Sequence, residues 1–199
     1  MLKNKTKLKD YLTYSWYIVL LVAVLSYTLS YYLVSYVNEY KREEVFSMFV
    51  TSYGIKDNSL EDRIYDKYFG DGINKVNIYN FSYEDEDISS YYANFGEKSD
   101  LVILYESDLE EMGEYIENKF VQLNEYMDEY STYSYEDKAY GILINDNKNS
   151  GSSFLSSCFE FDGKIDKPSY LLINKTSPHF TSKDSIGYNI LNDLLKGEI

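Results

Sequence analysis

Ser99-Asp100-Leu101-Val102-Ile103-Leu104-Tyr105-Glu106-Ser107-Asp108-Leu109 is the stretch on which the fold turns. Five consecutive apolar residues between Asp100 and Glu106 are too few for a helix and suit a strand buried on both faces. Ser107, with Glu110 three residues on, predicts a helix start. Leu109, Met112, Ile116 and Phe120 then fall on one side of that helix. A strand running straight into an amphipathic helix is half of a crossover unit.

The same unit recurs upstream. Val45-Phe46-Ser47-Met48-Phe49-Val50 reads as a buried strand, and Asn58 with Glu61 resembles a capping box opening a helix that carries Leu60, Ile64 and Tyr68 and stops at Gly70. Lys75 to Phe81 alternates like a strand. Ile88, Tyr91, Tyr92 and Phe95 share a helical face that Gly96 closes. Strand–helix alternation at this spacing predicts right-handed crossovers: an α/β domain over residues 44–199 with a mostly parallel sheet and helices on both faces. Downstream, Val121-Gln122-Leu123 reads as a short extended piece and Tyr126 to Lys138 as an acidic, tyrosine-rich surface loop or ragged helix. Gly141 to Ile144 is a strand and Asn145 to Ser153 a turn-rich loop. Phe154–Phe161 and Tyr170–Ile173 bracket Asp162-Gly163-Lys164 as a hairpin-like return. Ser182 to Lys196 closes the chain as an amphipathic helix through Ile186, Ile190, Leu191 and Leu194.

Residues 16–37, WYIVLLVAVLSYTLSYYLVSYV, hold no charge, Gly or Pro. As a helix they extend about 33 Å, enough for the roughly 30 Å core of a bilayer. Trp16, Tyr17 and Tyr36 suit the two interfaces. Thr28-Leu29-Ser30 is a poor cleavage site and the apolar run is long for a signal peptide, so an uncleaved anchor is expected. Lys3, Lys5, Lys7 and Lys9 precede the span, against Lys41 and Arg42 after it. That bias keeps residues 1–15 cytoplasmic and exports the rest: a stalk at 38–43, then the α/β domain. The expected location is therefore the cell membrane, single-pass, with the C-terminal domain outside the cytoplasm.

The 199-residue chain carries 19 basic and 33 acidic residues. Without the four leading lysines and Asp10, 15 basic and 32 acidic residues remain, a balance of −17. Such a surface repels nucleic acid and anionic lipid headgroups. Cys158 is the single cysteine, so no internal disulfide forms; within its apolar stretch it reads as a small core residue. Twenty-four tyrosines with few Ala and Pro fit an AT-rich, low-GC bacterial genome.

No glycine-rich nucleotide loop is present. Asn145 to Asn149 alternates oxygen ligands like a calcium loop, but Ser150 and Ser156 stand where the turn Gly and the bidentate Glu belong, so no metal is expected. Ser177 and His179, two residues apart, form a poor nucleophile–base pair, and His179 reads as an exposed loop residue. No spacing selects a carboxylate pair; Glu84 to Asp87 is read as a run of anions at a helix start. Neither a catalytic residue nor a cofactor is expected. In an open parallel sheet, ligands gather beyond the carboxyl ends of the strands. That rule selects the loops holding Tyr53, Ser107, Asp108, Ser177 and His179 as candidate ligand contacts. Asn80-Phe81-Ser82 and Asn174-Lys175-Thr176 match the glycosylation pattern.

Ser99 to Leu109, Tyr140-Gly141-Ile142-Leu143-Ile144, and Tyr170-Leu171-Leu172-Ile173-Asn174 with the helix to Leu195 together resemble three patches of the extracellular solute-binding proteins of ABC importers. Those proteins have two lobes, and between Ile144 and Tyr170 there is room only for a hairpin. The resemblance implies a single membrane-tethered lobe, non-enzymatic, acting as accessory or sensor beside a transporter or other membrane complex and taking a small solute. The alternative expectation is a tyrosine-rich adhesion or interaction domain with no small ligand.

Overall fold

The computed structural model describes residues 3–37, 40–82, 88–146, 153–161 and 168–199. The chain divides into two compact units, Met1–Tyr40 and Lys41–Ile199. The first is one helix, α1 (Lys3–Val37). Its window Trp16–Leu33 is long and apolar enough to cross a membrane, a test that a signal sequence also passes. Every side chain in that window is exposed, so its apolar surface is not protein core. The Thr28 hydroxyl donates back to the carbonyls of Val24 and Leu25, both at 3.0 Å, so the helix itself satisfies this polar group.

The second unit is built on a six-stranded sheet of β1 (Val45–Thr51), β3 (Lys75–Phe81), β4 (Leu101–Tyr105), β5 (Thr132–Tyr135), β6 (Lys138–Asn145) and β8 (Ser169–Ile173). The strands lie in the order β3-β1-β4-β8-β6-β5. β1 runs parallel to β3 and β4, whereas β8 lies antiparallel between β4 and β6, and β5 pairs antiparallel with β6. The sheet is therefore mixed, not mostly parallel. Strand–helix alternation holds only as far as β4.

Helices cover both faces. On one face α2 (Leu60–Tyr68), α6 (Phe154–Cys158) and α7 (Ile186–Lys196) bury Leu60, Ile64, Leu155, Cys158, Ile190, Leu191 and Leu194 against Phe46, Met48, Val50, Ile103 and Leu171. On the other, α3 (Ile88–Asn94), α4 (Glu106–Met112) and α5 (Tyr115–Lys119) cover Phe49, Val102, Leu104 and Leu172. Each face takes alternate residues of β1 and β4, which is why both strands read as continuous apolar runs.

Several local expectations change. The helix expected to run on to Phe120 breaks into α4 and α5 at Gly113, whose φ of 51° a side chain would resist. α4 begins at Glu106, and Asp108 rather than Ser107 serves its start, accepting the Tyr105 N–H at 3.1 Å. At α2 the supporting carboxylate is Asp57, which accepts Ser59 N and Oγ; no Asn58–Glu61 box forms. Within the tyrosine-rich stretch Thr132–Tyr135 is a strand, joined to β6 by Glu136 and Asp137, both at positive φ. Phe154–Phe161 is no hairpin partner of β8. Its first part is α6, and β7 (Phe159–Glu160) pairs antiparallel with β2 (Gly54–Ile55). Glu84 to Asp87, Asn147 to Asn149, and Asp162-Gly163-Lys164 lie outside the described residues.

Candidate functional site

Two places gather chemistry, at opposite ends of the sheet. β8 runs antiparallel to β4, so its carboxyl end leads the chain to the end where β1 and β4 begin. Ser177 and His179 therefore part from Tyr53, Ser107 and Asp108, which follow the carboxyl ends of β1 and β4. The premise that put all five together fails with the parallel sheet.

At the first end stands Asp100, fully buried. Its Oδ2 accepts Ser47 N at 2.7 Å, Ser47 Oγ at 3.2 Å and Arg42 Nη1 at 3.1 Å. Oδ1 accepts Arg42 Nη2 at 2.8 Å, Ser177 Oγ at 2.6 Å and His179 Nδ1 at 3.0 Å. Burial pushes this carboxyl up, but hydrogen bonds from His179 and Arg42, with their charges, outweigh it and hold it below the usual carboxylate range. His179 Nε2 lies 3.1 Å from the carbonyl of Glu43. Each ring nitrogen thus faces an acceptor, and both bonds form together only when the ring carries both protons.

His179 is buried, contrary to the exposed loop residue expected. Three residues of catalytic type meet here, but not in the order of a serine–histidine–aspartate triad. The serine hydroxyl donates to the carboxylate instead of the imidazole, and no ring nitrogen faces Ser177 Oγ to take its proton. The hub ties Arg42 and Glu43, read as stalk, to the domain. Asn174, of the second sequon, is buried with its amide donating to Gly96 O at 2.8 Å and Ser99 O at 2.6 Å, so it is closed to a glycan.

At the other end a cavity of about 370 Å³ opens over the sheet. Phe49 and Thr51 of β1 and Leu104 of β4 form its floor; Ser89 and Tyr92 of α3, Asp108, Glu111 and Met112 of α4, and Tyr115 and Lys119 of α5 form its walls. After β1 the chain leaves to one face through α2, and after β4 to the other through α4. Adjacent parallel strands whose helices depart to opposite faces leave a crevice between their carboxyl ends, where α/β sheets bind ligands. The size lies at the lower end of small-molecule pockets.

Its polar groups are few. Thr51 Oγ1 is committed to Ile103 O at 2.9 Å. Lys119 Nζ is paired with Glu97 at 2.5 Å. The Tyr92 hydroxyl is buried without a hydrogen-bond partner, and burial pushes its phenol well above the ordinary range, so it stays protonated.

Of the five residues expected from sequence, only Asp108 lines this cavity. Tyr53 is held by its backbone, its N–H donating to Glu160 O at 2.8 Å beside the β2–β7 pair. Ser107 Oγ is buried without a partner. Phe49, Thr51 and Leu104 are missed because they look like core, although the two-residue period of β1 does place Phe49 and Thr51 on one face. Among the described residues, no cluster of His, Cys, Asp and Glu could hold a metal ion.

No family model and no curated protein matches the chain. Among solved structures it is similar to the galacto-N-biose-/lacto-N-biose I-binding protein of the ABC transporter from Bifidobacterium longum, in complex with lacto-N-biose. The identity is 10% and the TM-score 0.33, over 55% of this chain and 30% of that protein. The chain thus spans less than a third of that protein's length.

Proposed function

We propose that the protein is a non-enzymatic, membrane-tethered binding module that holds a small solute outside the cytoplasm, beside a transporter or other membrane complex. The observation that carries this reading is the cavity at the crevice between β1 and β4, walled by three helices and floored by the sheet. The apolar window of α1 supplies the tether, and the lysines before it favour a cytoplasmic N-terminus. The arrangement of Ser177, His179 and Asp100 supports a non-enzymatic role, since its hydrogen bonds tie separate segments of the fold together and direct both imidazole nitrogens away from the hydroxyl. The adhesion reading has less behind it. Phe69 and Tyr115, at 60% and 62% exposed, follow α2 and open α5 on opposite faces of the sheet and cannot share one contact patch.

The test is thermal unfolding of the full chain in detergent micelles against a panel of sugars, amino acids, amines and organic acids. A ligand at 100 times its dissociation constant stabilises by about 2.7 kcal/mol. In a domain of this size that is a rise of roughly 5–10 °C. A cooperative melt unmoved by every member of the panel overturns the solute-binding reading.

A further inference from the structure

Resting on the reading of the cavity as a solute site, we infer that its ligand is recognised by an apolar body, an aryl ring or a short alkyl chain, whose polar head stays in water at the mouth. The lining has little polar chemistry left to offer. Thr51 Oγ1 donates to Ile103 O at 2.9 Å, and Lys119 Nζ is paired with Glu97. Asp108 accepts the Tyr105 N–H at 3.1 Å and so serves the start of α4. The Tyr92 hydroxyl is buried and presents no oxygen to the space. Ser89, Glu111 and the Tyr115 hydroxyl are left, all on exposed side chains where water competes for them. A charged or hydroxyl-rich body seated on the floor would give up its water and gain no partner in return.

The surface that faces the space is mostly carbon. The half-buried Tyr92 ring and Met112 thioether, the exposed Tyr115 ring and the Lys119 methylenes form the walls, and buried Leu104 closes the bottom. Tyr92 stands edge-on to Phe49 with ring centroids 5.7 Å apart, so wall and floor meet in an aromatic corner. Such walls reward a ligand in proportion to the apolar area it removes from water. An apolar cavity of about 150 Å³ already holds benzene. At about 370 Å³ there is room for a ring with several further carbons. A sugar needs partners for hydroxyls all round its ring, and Leu104 and Met112 offer none.

The experiment uses the full chain in lipid nanodiscs with its methionine methyl groups carbon-13 labelled for NMR. Met112 lines the cavity, whereas Met48 and Met127 do not and serve as internal controls. The titrants are benzyl alcohol, phenylethanol, phenylpropanol, phenylethylamine, ethanolamine and a neutral hexose. Free ligand is measured by dialysis against empty nanodiscs, so partition into lipid does not count as binding. The expected result is a saturable shift of the Met112 methyl with every phenyl compound, while ethanolamine and the hexose leave it in place. Affinity should rise about three- to fourfold with each methylene added to the alcohol. Phenylethylamine and phenylethanol, which share a body, should agree within about fivefold, since their heads remain in water. If ethanolamine or the hexose moves Met112 at concentrations as low as phenylpropanol does, or affinity does not rise with the body, the cavity stands as a solute site and the apolar class is overturned. If no compound moves Met112 saturably and apart from Met48 and Met127, both the class and the solute site fall.

Discussion

Nδ1 of His179 lies 3.0 Å from Oδ1 of Asp100, across 79 positions of sequence. Around that contact the segment just after the apolar helix (Arg42, Glu43), the start of β1 (Ser47), the start of β4 and the loop after β8 (Ser177) are joined through one carboxylate. A buried anion with this many donors is worth most when none is removed, because deleting the centre leaves the others desolvated and unpaired.

Asp100→Asn should therefore cost about 3 kcal/mol, near the low end for breaking a buried pair because Arg42 is partly exposed and can turn to water. The pH dependence follows from the direction of the shift. The folded carboxyl titrates below its ordinary 3.8, so its contribution is fully present above the unfolded value and is lost as pH falls through the folded one. Urea denaturation of wild type and Asp100→Asn should show a constant gap from about pH 7 to 5 that narrows below about pH 4. A gap unchanged down to about pH 2.5 would contradict the assignment of that acid sensitivity to Asp100.

Gly187 opens α7 against the same loop. A Cβ there would lie 2.5 Å from the His179 carbonyl oxygen and 2.8 Å from its carbon, both backbone atoms that cannot step aside alone. Gly187 N–H also donates to that oxygen at 3.0 Å. Gly187→Ala should destabilise by about 1–3 kcal/mol through overpacking and shift the His179 ring resonances in NMR spectra. Stability within about 0.3 kcal/mol of wild type would show that the loop yields freely.

What the sequence made legible follows from local physics. β1, β3, β4 and α7 are strong periodic signals, and the structure repeats them within a residue or two at most ends. Strand direction was not legible beyond β4. The order of β8 between β4 and β6 is settled by long-range pairing, and Tyr170–Ile173 reads the same in either direction. β5 was hidden although Thr132-Tyr133-Ser134-Tyr135 alternates, because four residues inside a long acidic, tyrosine-rich stretch are a short signal and because its turn uses Glu136-Asp137 where Asn-Gly would have announced a hairpin. The cavity was legible only at Asp108, since its floor residues carry the same apolar signal as the core. His179 misled for a related reason: a histidine in a Ser-Pro loop looks solvent-exposed until its distant carboxylate is known.

The Glu136-Asp137 turn invites a gain of stability. Both residues hold positive φ, 49° and 62°, a conformation that costs an ordinary side chain about 1–2 kcal/mol. Asp137→Gly should stabilise the domain by about 0.5–1 kcal/mol, measured as a higher urea midpoint at unchanged slope. A lower midpoint would mean that the Asp137 side chain contributes more than its backbone strain costs.

Cys158 makes the membrane arrangement testable without removing a native residue. The thiol is buried and burial pushes its pKa up, so the wild-type chain should resist a membrane-impermeant maleimide until it is unfolded. Against that silent background, Asn118→Cys on the exposed side of α5 and Lys5→Cys before the apolar window report on the two sides of the span. In intact cells Asn118→Cys should be labelled and Lys5→Cys should react only after permeabilisation, following the lysine bias around α1. The reverse pattern would place the cavity in the cytoplasm and make any solute it holds an intracellular one. Recovery of residues 41–199 free of the membrane would instead identify α1 as a cleaved signal, leaving the cavity's chemistry intact but removing its tether.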